Sequence, residues 1–296
     1  MSAPEPAAFA DLTALQNVRA GSTALLGIPW DRMSTHLRGC AEAPSKIRAA
    51  LYGGSSNLAA EDGTDLAAPE TGFVDVGDLV LAAPDEAPGV VRAIQHAVGV
   101  LLERGARVVS LGGDHAVTLP VVRAYAERLG PLEILHFDAH PDLYDHYEGN
   151  RFSHACPFAR IMEEGLARRL VQVGIRTMNA HQREQAERFG VEVIGMASLE
   201  RAAGLQFSGP VYVSVDLDGL DPAFAPGVSH HEPGGLSTRD LLRIVQAVRA
   251  PVVRADVVEL NPRRDVHDMT AMVGAKLVKE LASAIGRSGD APMRTP

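Results

Sequence analysis

LEILHFDAHPD, residues 132–142, is the stretch that best indicates the fold of this chain. It begins as a short apolar run, which is typical of a buried β-strand. It ends with three residues of metal-binding type at alternate positions, Asp138, His140 and Asp142. Pro141 ends the strand, and alternate residues of an extended chain point to the same side. The pattern therefore predicts a strand whose end directs two carboxylates and one imidazole towards a single point.

Two other predicted strands end in similar side chains. His115 follows the apolar run 107–111, and Asp216 and Asp218 end the β-prone run 211–217. Taken alone, an Asp-x-His sequence is more typical of a polar loop whose acids cap the next helix. A pair of acids is equally typical of a solvated strand end. Three such clusters at strand ends favour a common metal site over these alternatives.

Strand-like runs alternate with helix-like segments along most of the chain. Segments 88–104 and 269–285, for example, carry apolar residues at helical spacing. This alternation predicts an α/β fold in which a mostly parallel sheet has helices on both faces. The working site of such a sheet lies beyond the carboxyl ends of its strands. We expect residues 1–20 to form an N-terminal arm and residues 21–290 to form a single domain.

Composition excludes several classes of function. The chain has 296 residues, of which 46% are apolar, and a formal net charge of -9 without a basic block. Nucleic acid or an anionic membrane is therefore not expected as a partner. Cys40 and Cys156 are far apart in sequence, which argues against a disulfide scaffold or a thiolate metal site. We find no signal-peptide pattern in residues 1–20 and no apolar run of transmembrane length, so we expect a cytoplasmic protein.

The candidate ligands themselves indicate the chemistry. Four are carboxylates and two are imidazoles: His115, Asp138, His140, Asp142, Asp216 and Asp218. Four buried carboxylates would repel one another without cations between them, and two divalent ions would remove that repulsion. An oxygen-rich ligand set favours Mn²⁺ over Zn²⁺, although affinity alone favours the later metals. A pair of ions activates water at neutral pH, so the sequence predicts a hydrolase.

Three motifs resemble the signature motifs of the ureohydrolase family, which includes arginases and agmatinases. They are Gly112-Gly113-Asp114-His115, residues 138–142 and the segment SVDLDGLDP at 214–222. The resemblance runs from about residue 25 to residue 285. It implies a three-layer α/β/α fold with an eight-stranded parallel sheet, two Mn²⁺ per subunit, and a homo-oligomer of three or six subunits. It also implies that the six residues above are the metal ligands.

The same resemblance assigns catalytic and substrate-binding residues. Glu259 would pair with the guanidinium of the substrate, and His154 would move protons between solvent and the departing amine. Asp142 would carry a proton from the attacking water towards that amine. Asn150 and Ser153 are candidates for binding the rest of the substrate. As isolated residues, His154 is typical of an exposed loop and Glu259 of a strand-end salt bridge.

The substrate is predicted from two further segments. Residues 138–160 and 226–235 resemble plant-type arginases, which favours L-arginine as the substrate. Agmatine and guanidino acids such as 4-guanidinobutanoate remain alternatives. Asn179 stands where animal-type arginases have the acid that reads the α-ammonium, and we expect Arg176 to form a structural ion pair. A zinc deacetylase of related fold, with a single ion, and an inactive regulatory or assembly protein are the competing hypotheses.

Overall fold

The computed structural model describes residues 8–287 and has a single sheet at its centre. Within the described residues the sheet has nine strands: β1 (Ala8–Phe9), β2 (Thr23–Gly27), β3 (Phe73–Val80), β4 (Arg107–Leu111), β5 (Leu132–Phe137), β6 (Ala167–Ile175), β7 (Glu192–Gly195), β8 (Val211–Asp216) and β9 (Val252–Val258). The helices in the same range are α1 (Leu12–Gln16), α2 (Ala43–Leu51), α3 (Ala87–Glu103), α4 (Thr118–Leu129), α5 (Pro157–Glu163), α6 (Ala180–Phe189), α7 (Thr238–Ala247) and α8 (Met269–Arg287).

The strand order across the sheet is β1-β3-β2-β4-β9-β8-β5-β6-β7. Every pairing from β2 to β9 is parallel, and only β1 pairs in the antiparallel sense, with β3, in the part of the chain that the structure describes. The predicted eight-stranded parallel sheet is therefore confirmed. Strand β1 was not predicted, because two residues are too few to show an alternating pattern.

Both faces of the sheet are covered by apolar side chains, which form two cores. One core includes Ile47 of α2, Leu241 of α7 and Leu281 of α8. The other includes Ile94 of α3 and Val122 of α4. All residues of β5, β8 and β9 are buried, because these central strands have helices on both sides. This double burial explains why the central strands read as almost continuous apolar runs.

The segment that precedes the first parallel strand packs against the sheet. Asp11 caps α1 by accepting hydrogen bonds from the backbone N–H groups of Thr13 and Ala14. Phe9 and Leu15 are buried in the second core. The division into an arm at residues 1–20 and a domain at 21–290 stays a prediction. No helix in the range 8–287 has the length and apolar character needed to span a bilayer.

The polypeptide turns tightly where β4 ends, and this turn delivers the first predicted ligand. A Cβ atom on Gly113 would lie 1.9 Å from the carbonyl oxygen of Trp30, so only glycine fits there. Asp114 then caps the short 3₁₀ turn His115–Val117 by accepting from the N–H of Ala116. Its other carboxylate oxygen accepts from the N–H of Met33, which fixes the loop after β2 beside the site.

Candidate metal centre and substrate cavity

The carboxyl ends of β4, β5 and β8 bring the six predicted ligands together in two groups. The first group surrounds Nδ1 of His115. That nitrogen lies 3.1 Å from Asp142 Oδ2, 3.1 Å from Asp216 Oδ2 and 3.3 Å from Asp138 Oδ2. His115 and Asp138 are fully buried, and the other two are almost so. Three strand ends therefore contribute to one cluster.

The second group surrounds Nδ1 of His140. This nitrogen lies 3.1 Å from Asp218 Oδ2 and 3.4 Å from Asp138 Oδ1. Asp138 thus offers one carboxylate oxygen to each imidazole, and the two groups share it. Asp218 is held in place because its Oδ1 accepts a hydrogen bond of 3.2 Å from the N–H of Ala139.

The two groups have the properties of a site for divalent cations. Nδ1 of His115 is buried and makes no hydrogen bond of acceptable geometry to any described residue, although three carboxylates face it. Burial, together with the neighbouring carboxylates of Asp218 and Asp138, raises the pKa of Asp216 well above its ordinary value. Burial also raises the pKa of Asp218, to about 6, with Asp138 contributing. Although burial lowers the pKa of both imidazoles, the facing carboxylates raise that of His115 well above its ordinary value and that of His140 to about 12. Protons on the two imidazoles therefore offset the charge of these acids, and bound cations would replace those protons.

A cavity of about 240 Å³ opens onto the two groups. Its lining includes four of the predicted ligands and both His154 and Glu259, and in full it comprises Thr35, His140, Asp142, Tyr144, Tyr147, His154, Ala155, Thr177, Asn179, Gln182, Asp216, Asp218, His230 and Glu259. The three predicted catalytic residues therefore face the same space as the candidate metal centre. The volume suits a small molecule rather than a polymer.

His154 and Glu259 form a buried pair on this cavity. His154 Nδ1 lies 2.8 Å from Glu259 Oε1, and His154 Nε2 lies 2.9 Å from Thr35 Oγ1. Burial alone would lower the pKa of His154. The carboxylate of Glu259 has the larger, opposite effect and raises this pKa to about 9. Burial raises the pKa of Glu259, but His154 and the backbone N–H of His115 lower it to about 2. Glu259 is therefore an anion at neutral pH.

Cys40 touches the other oxygen of the same carboxylate. Its thiol donates to Glu259 Oε2 over 3.5 Å and lies 3.7 Å from Ser229 Oγ. Burial and the charge of Glu259 raise the pKa of this thiol well above its ordinary value. Cys40 and Cys156 are both buried free thiols. The thiol of Cys40 stays protonated and helps to orient Glu259.

The sequence of this chain is similar to those of known proteins. A model of the arginase family matches residues 22–283. Arginase 1, mitochondrial, from Arabidopsis thaliana is 49% identical over 292 residues, which cover 94% of this chain and 85% of the plant protein. The chain belongs to the arginase family.

Two further proteins are also similar to this chain. The solved structure of arginase from Medicago truncatula superposes with a TM-score of 0.85 and 46% identity, and the match covers 90% of this chain and 88% of that one. Guanidinopropionase from Pseudomonas aeruginosa is 38% identical over 298 residues, which cover 95% of this chain and 90% of that protein. The family resemblance and the fold predicted from the sequence are confirmed.

Asn150 and Ser153, predicted to bind substrate, do not line the cavity of this arginase-family chain. Asn150 Oδ1 accepts from the N–H of Phe152, and its Nδ2 group faces the sulfur of Met33. Ser153 is only 1% exposed, and its hydroxyl accepts from the N–H of Ala155. Both side chains shape the loop that carries His154 instead of facing the cavity.

Arg176 is structural, as predicted, but its partners differ from the prediction. Its guanidinium donates to five backbone carbonyls, those of Glu232, Gly174, Gly219, Asp218 and Leu220. The prediction of an ion pair was therefore wrong in its chemistry. The guanidinium joins the loop after β6 to the loop that carries Asp218.

Several cavity residues were not predicted from the sequence. Tyr147 and Asn150 exchange backbone hydrogen bonds across a turn in which Glu148 and Gly149 have φ angles of 50° and 77°. This hairpin brings Tyr147 to the cavity, and the Glu148-Gly149 pair directly after an aromatic residue was the signal for it. Thr35 carried no such signal, because loop packing alone brings it to the cavity. His230 lies in the segment 226–235 that resembles plant-type arginases, but no role was predicted for it.

Proposed function

We propose that this protein is an arginase that hydrolyses L-arginine to L-ornithine and urea with two Mn²⁺ per subunit. One observation carries the proposal. Two groups of carboxylates and imidazoles share Asp138 beside the anionic pair partner Glu259, in a chain that is 49% identical to a plant arginase over almost its whole length. His115, Asp138, Asp142 and Asp216 would hold one ion, and Asp138, His140 and Asp218 would contribute to the other.

The protein's own residues suit the cleavage of a guanidinium. When bound, the two ions would offset the charge of the carboxylates and lower the pKa of a nearby water. Glu259, an anion that faces the cavity, pairs with the substrate's planar guanidinium and orients its central carbon. Asp142, which lines the same cavity, accepts a proton from the attacking water and passes it on towards the departing amine.

His154 completes the proton transfers. Its Nδ1 is paired with Glu259, and its Nε2 faces Thr35. Because Glu259 raises the pKa of His154 to about 9, the ring carries a proton at neutral pH. His154 can therefore deliver that proton to the departing amine and recover one from solvent. The guanidinium of the substrate pairs with the same carboxylate that His154 contacts. The protonated ring of His154 therefore lies next to the C–N bond that is cleaved.

The rest of the substrate meets a rim without a formal charge of its own. Tyr144, Thr177, Asn179 and Gln182 line this part of the cavity. These groups donate and accept hydrogen bonds, which suits the ammonium and carboxylate of an amino acid. Agmatine and the guanidino acids share the reacting group and lack one of the two tail charges. The plant relatives favour L-arginine, and the 38% identity to a guanidinopropionase keeps a guanidino acid as the second candidate.

The test is urea release by the manganese-loaded protein from L-arginine, agmatine, 3-guanidinopropanoate and 4-guanidinobutanoate. We expect L-arginine to have the highest kcat/KM. Glu259→Gln should abolish the activity, and Glu148→Gln, which changes an exposed acid in the neighbouring loop, should not. A preference for agmatine or a guanidino acid would contradict the assignment of L-arginine as the substrate. Urea from none of the four would support the inactive regulatory protein.

Metal content separates the proposal from the deacetylase hypothesis. Elemental analysis after loading should find two manganese ions per chain, whereas a single tightly held zinc would support a deacetylase. We also propose a trimer or hexamer in the cytoplasm, with a small guanidino compound as the partner. The mass of the purified protein in solution tests the assembly. Plant relatives are named mitochondrial, so the location needs its own measurement by cell fractionation.

A further inference from the structure

A row of buried polar side chains crosses the centre of the sheet, two residues before the ligands Asp138 and Asp216. The residues are in register on five neighbouring strands: Ser110 of β4, Asp256 of β9, Ser214 of β8, His136 of β5 and Gln172 of β6. All five are 0% exposed. Polar groups at the centre of a sheet destabilise a fold unless they form hydrogen bonds, so their presence here needs a reason.

The first part of the row determines which nitrogen of His115 carries hydrogen. Ser214 Oγ donates to Asp256 Oδ1 over 2.7 Å. A serine hydroxyl has a single hydrogen, so Ser214 Oγ can only accept from His115 Nε2, which lies 3.0 Å away. When His115 is neutral, as a metal ligand must be, its single ring hydrogen is therefore on Nε2. The lone pair on Nδ1 then faces Asp138, Asp142 and Asp216, as metal binding requires.

Asp256 is itself held by two more hydroxyl donors. Thr118 Oγ1 donates to Asp256 Oδ2 over 2.8 Å, and the hydroxyl of Tyr212 donates to the same oxygen. With Ser214 on its other oxygen, the carboxylate accepts from three hydroxyl groups and offers no hydrogen of its own. This arrangement prevents the hydroxyl of Ser214 from turning towards His115.

The second part of the row orients Asp138. Gln172 Nε2 donates to the carbonyl of Pro141 over 2.6 Å and to His136 Nδ1 over 3.1 Å. A carbonyl only accepts, so the orientation of this amide is fixed. The hydrogen of His136 is therefore on Nε2, which donates to Asp138 Oδ2 over 2.8 Å. His136 also stacks on Phe158, with ring centroids 3.9 Å apart.

We propose that this row is a positioning layer for the metal centre, in which Ser214 and Asp256 hold the ring of His115 while Gln172 and His136 hold the carboxylate of Asp138. These four residues touch no substrate and act through the two ligands. Both nitrogens of His136 are engaged, so it orients a ligand and does not bind metal itself. The inference rests on the proposed metal centre and extends it to residues to which the sequence analysis assigned no role.

Manganese affinity tests the proposal without any assay of activity. Metal-depleted protein is titrated with Mn²⁺, and free Mn²⁺ is followed by electron paramagnetic resonance. Ser214→Ala and His136→Phe, the latter keeping an aromatic ring on Phe158, should each weaken binding about 10–100-fold. Ser110→Ala is the matched control, because the hydroxyl of Ser110 is buried in the same row without a hydrogen-bond partner in the described residues. It should leave the affinity unchanged.

Thr118→Val provides a second test of the proposal in case Ser214→Ala does not fold. This nearly isosteric change removes one donor to Asp256 and contacts no ligand, so it should weaken binding several-fold in a protein that unfolds normally when metal-free. The proposal is overturned if Ser214→Ala and His136→Phe bind Mn²⁺ as tightly as Ser110→Ala. If Ser214→Ala does not fold, unchanged affinity in Thr118→Val overturns it. A wild-type protein that binds no Mn²⁺ would instead contradict the proposed function.

Discussion

Asp142 and Glu259 have backbone φ angles of 50° and 64°, in the left-handed region that L side chains rarely adopt. Both were predicted to be catalytic. At Glu259 the conformation is maintained by its own N–H, which donates to the carbonyl of Gly113, and by the N–H of His115, which donates to its carboxylate. Such strain persists only where the surroundings enforce it, and it is concentrated at functional sites. Leu37, Glu148, His267 and Asp268 share this conformation, so the support for Asp142 and Glu259 comes from the combination of a strained backbone with a side chain that lines the cavity.

Gly219 is the single residue on which the spacing of the two strand ends depends most directly. A Cβ atom at this position would lie 2.8 Å from the backbone nitrogen of Asp138 and 3.0 Å from its Cα. Because backbone atoms cannot move aside cheaply, Gly219→Ala should lower the free energy of unfolding by about 2 kcal/mol. It should also reduce the number of bound manganese ions, since it displaces Asp138 and Asp218 together.

Urea denaturation of the metal-free protein, followed by elemental analysis, tests this expectation. The control is Gly99→Ala in α3, where a Cβ would have open space within 4 Å. Alanine favours helix over glycine, so this variant should be as stable as the wild type or slightly more so. Normal stability and two bound ions in Gly219→Ala would show that the loop after β8 has more freedom than the contact distances allow.

At the scale of elements, a loop and a helix meet at the rim of the cavity. Asn179 caps α6 through a reciprocal pair of hydrogen bonds with Gln182. Its side-chain amide also donates to the hydroxyl of Tyr144 over 2.7 Å. Asn179 therefore joins the start of α6 to the loop after β5. Its contribution to substrate binding is expected to be positional.

Two helices of ten residues allow this positional role to be separated from helix stability. α6 and α7 both begin with a capping box, at Asn179 and at Ser237. Asn179→Ala and Ser237→Ala should each cost about 1 kcal/mol of unfolding free energy. Only Asn179→Ala should also raise KM for L-arginine several-fold, because Ser237 does not line the cavity described above. Equal KM values in the two variants would assign Asn179 to helix capping alone.

The sequence predicted those features that depend on local pattern. Periodic apolar residues located the strands, and the alternation at Asp138, His140 and Asp142 placed ligands at a strand end. The rule that sites lie at the carboxyl ends of parallel strands then joined clusters that are far apart in the chain. This reasoning identified all six residues of the two imidazole-centred groups.

Other features depend on register or on loop packing, which a single sequence does not encode locally. The contact of Thr35 with His154 joins residues 119 positions apart. The bond between Ser214 and Asp256 requires the register of β8 on β9, and a serine within an apolar strand carries no mark of it. Asn150 and Ser153 were assigned by position in a motif, whereas their side chains bond to their own loop and, for Asn150, to Met33. Motif spacing therefore located backbone positions better than side-chain directions.

At the scale of the whole molecule, the two ends of the sheet have separate tasks. The carboxyl ends hold the candidate site, and the amino ends hold structural contacts. Glu133, near the start of β5, is 3% exposed and accepts hydrogen bonds from the N–H and hydroxyl of Ser208 and from the N–H of Gly209. This carboxylate fastens the beginning of β5 to the segment that leads into β8.

The charge of Glu133 should make stability depend on pH without affecting catalysis. Burial raises the pKa of Glu133, but the hydrogen bonds from Ser208 and Gly209 lower it below its ordinary value. A carboxyl with a lowered folded-state pKa stabilises the fold above its unfolded value, about 4.3, and this contribution is lost as pH falls through the folded value. Glu133→Gln should cost about 1.5 kcal/mol at pH 7 and progressively less below about pH 4.

Urea denaturation of both proteins across this pH range measures the difference directly, and kcat and KM for L-arginine should match the wild type. Glu200→Gln, at an exposed acid, is the control and should show no such pH dependence. A constant difference between wild type and Glu133→Gln from pH 7 to pH 3 would mean that neutral hydrogen bonding, not charge, secures this end of the sheet.

The two-residue strand β1 has an effect larger than its length suggests. It lies antiparallel along the outermost parallel strand, β3, and pairs Ala8 with Val80 and Phe9 with Leu79. Without this cover, β3 would expose the amide and carbonyl groups of its last residues, Leu79 and Val80, on which a strand from another molecule can add. A protein that lacks residues 1–9 would therefore keep an intact reaction centre but have an uncovered sheet edge. In concentrated solution its shelf life would be limited by self-association and not by inactivation of the site.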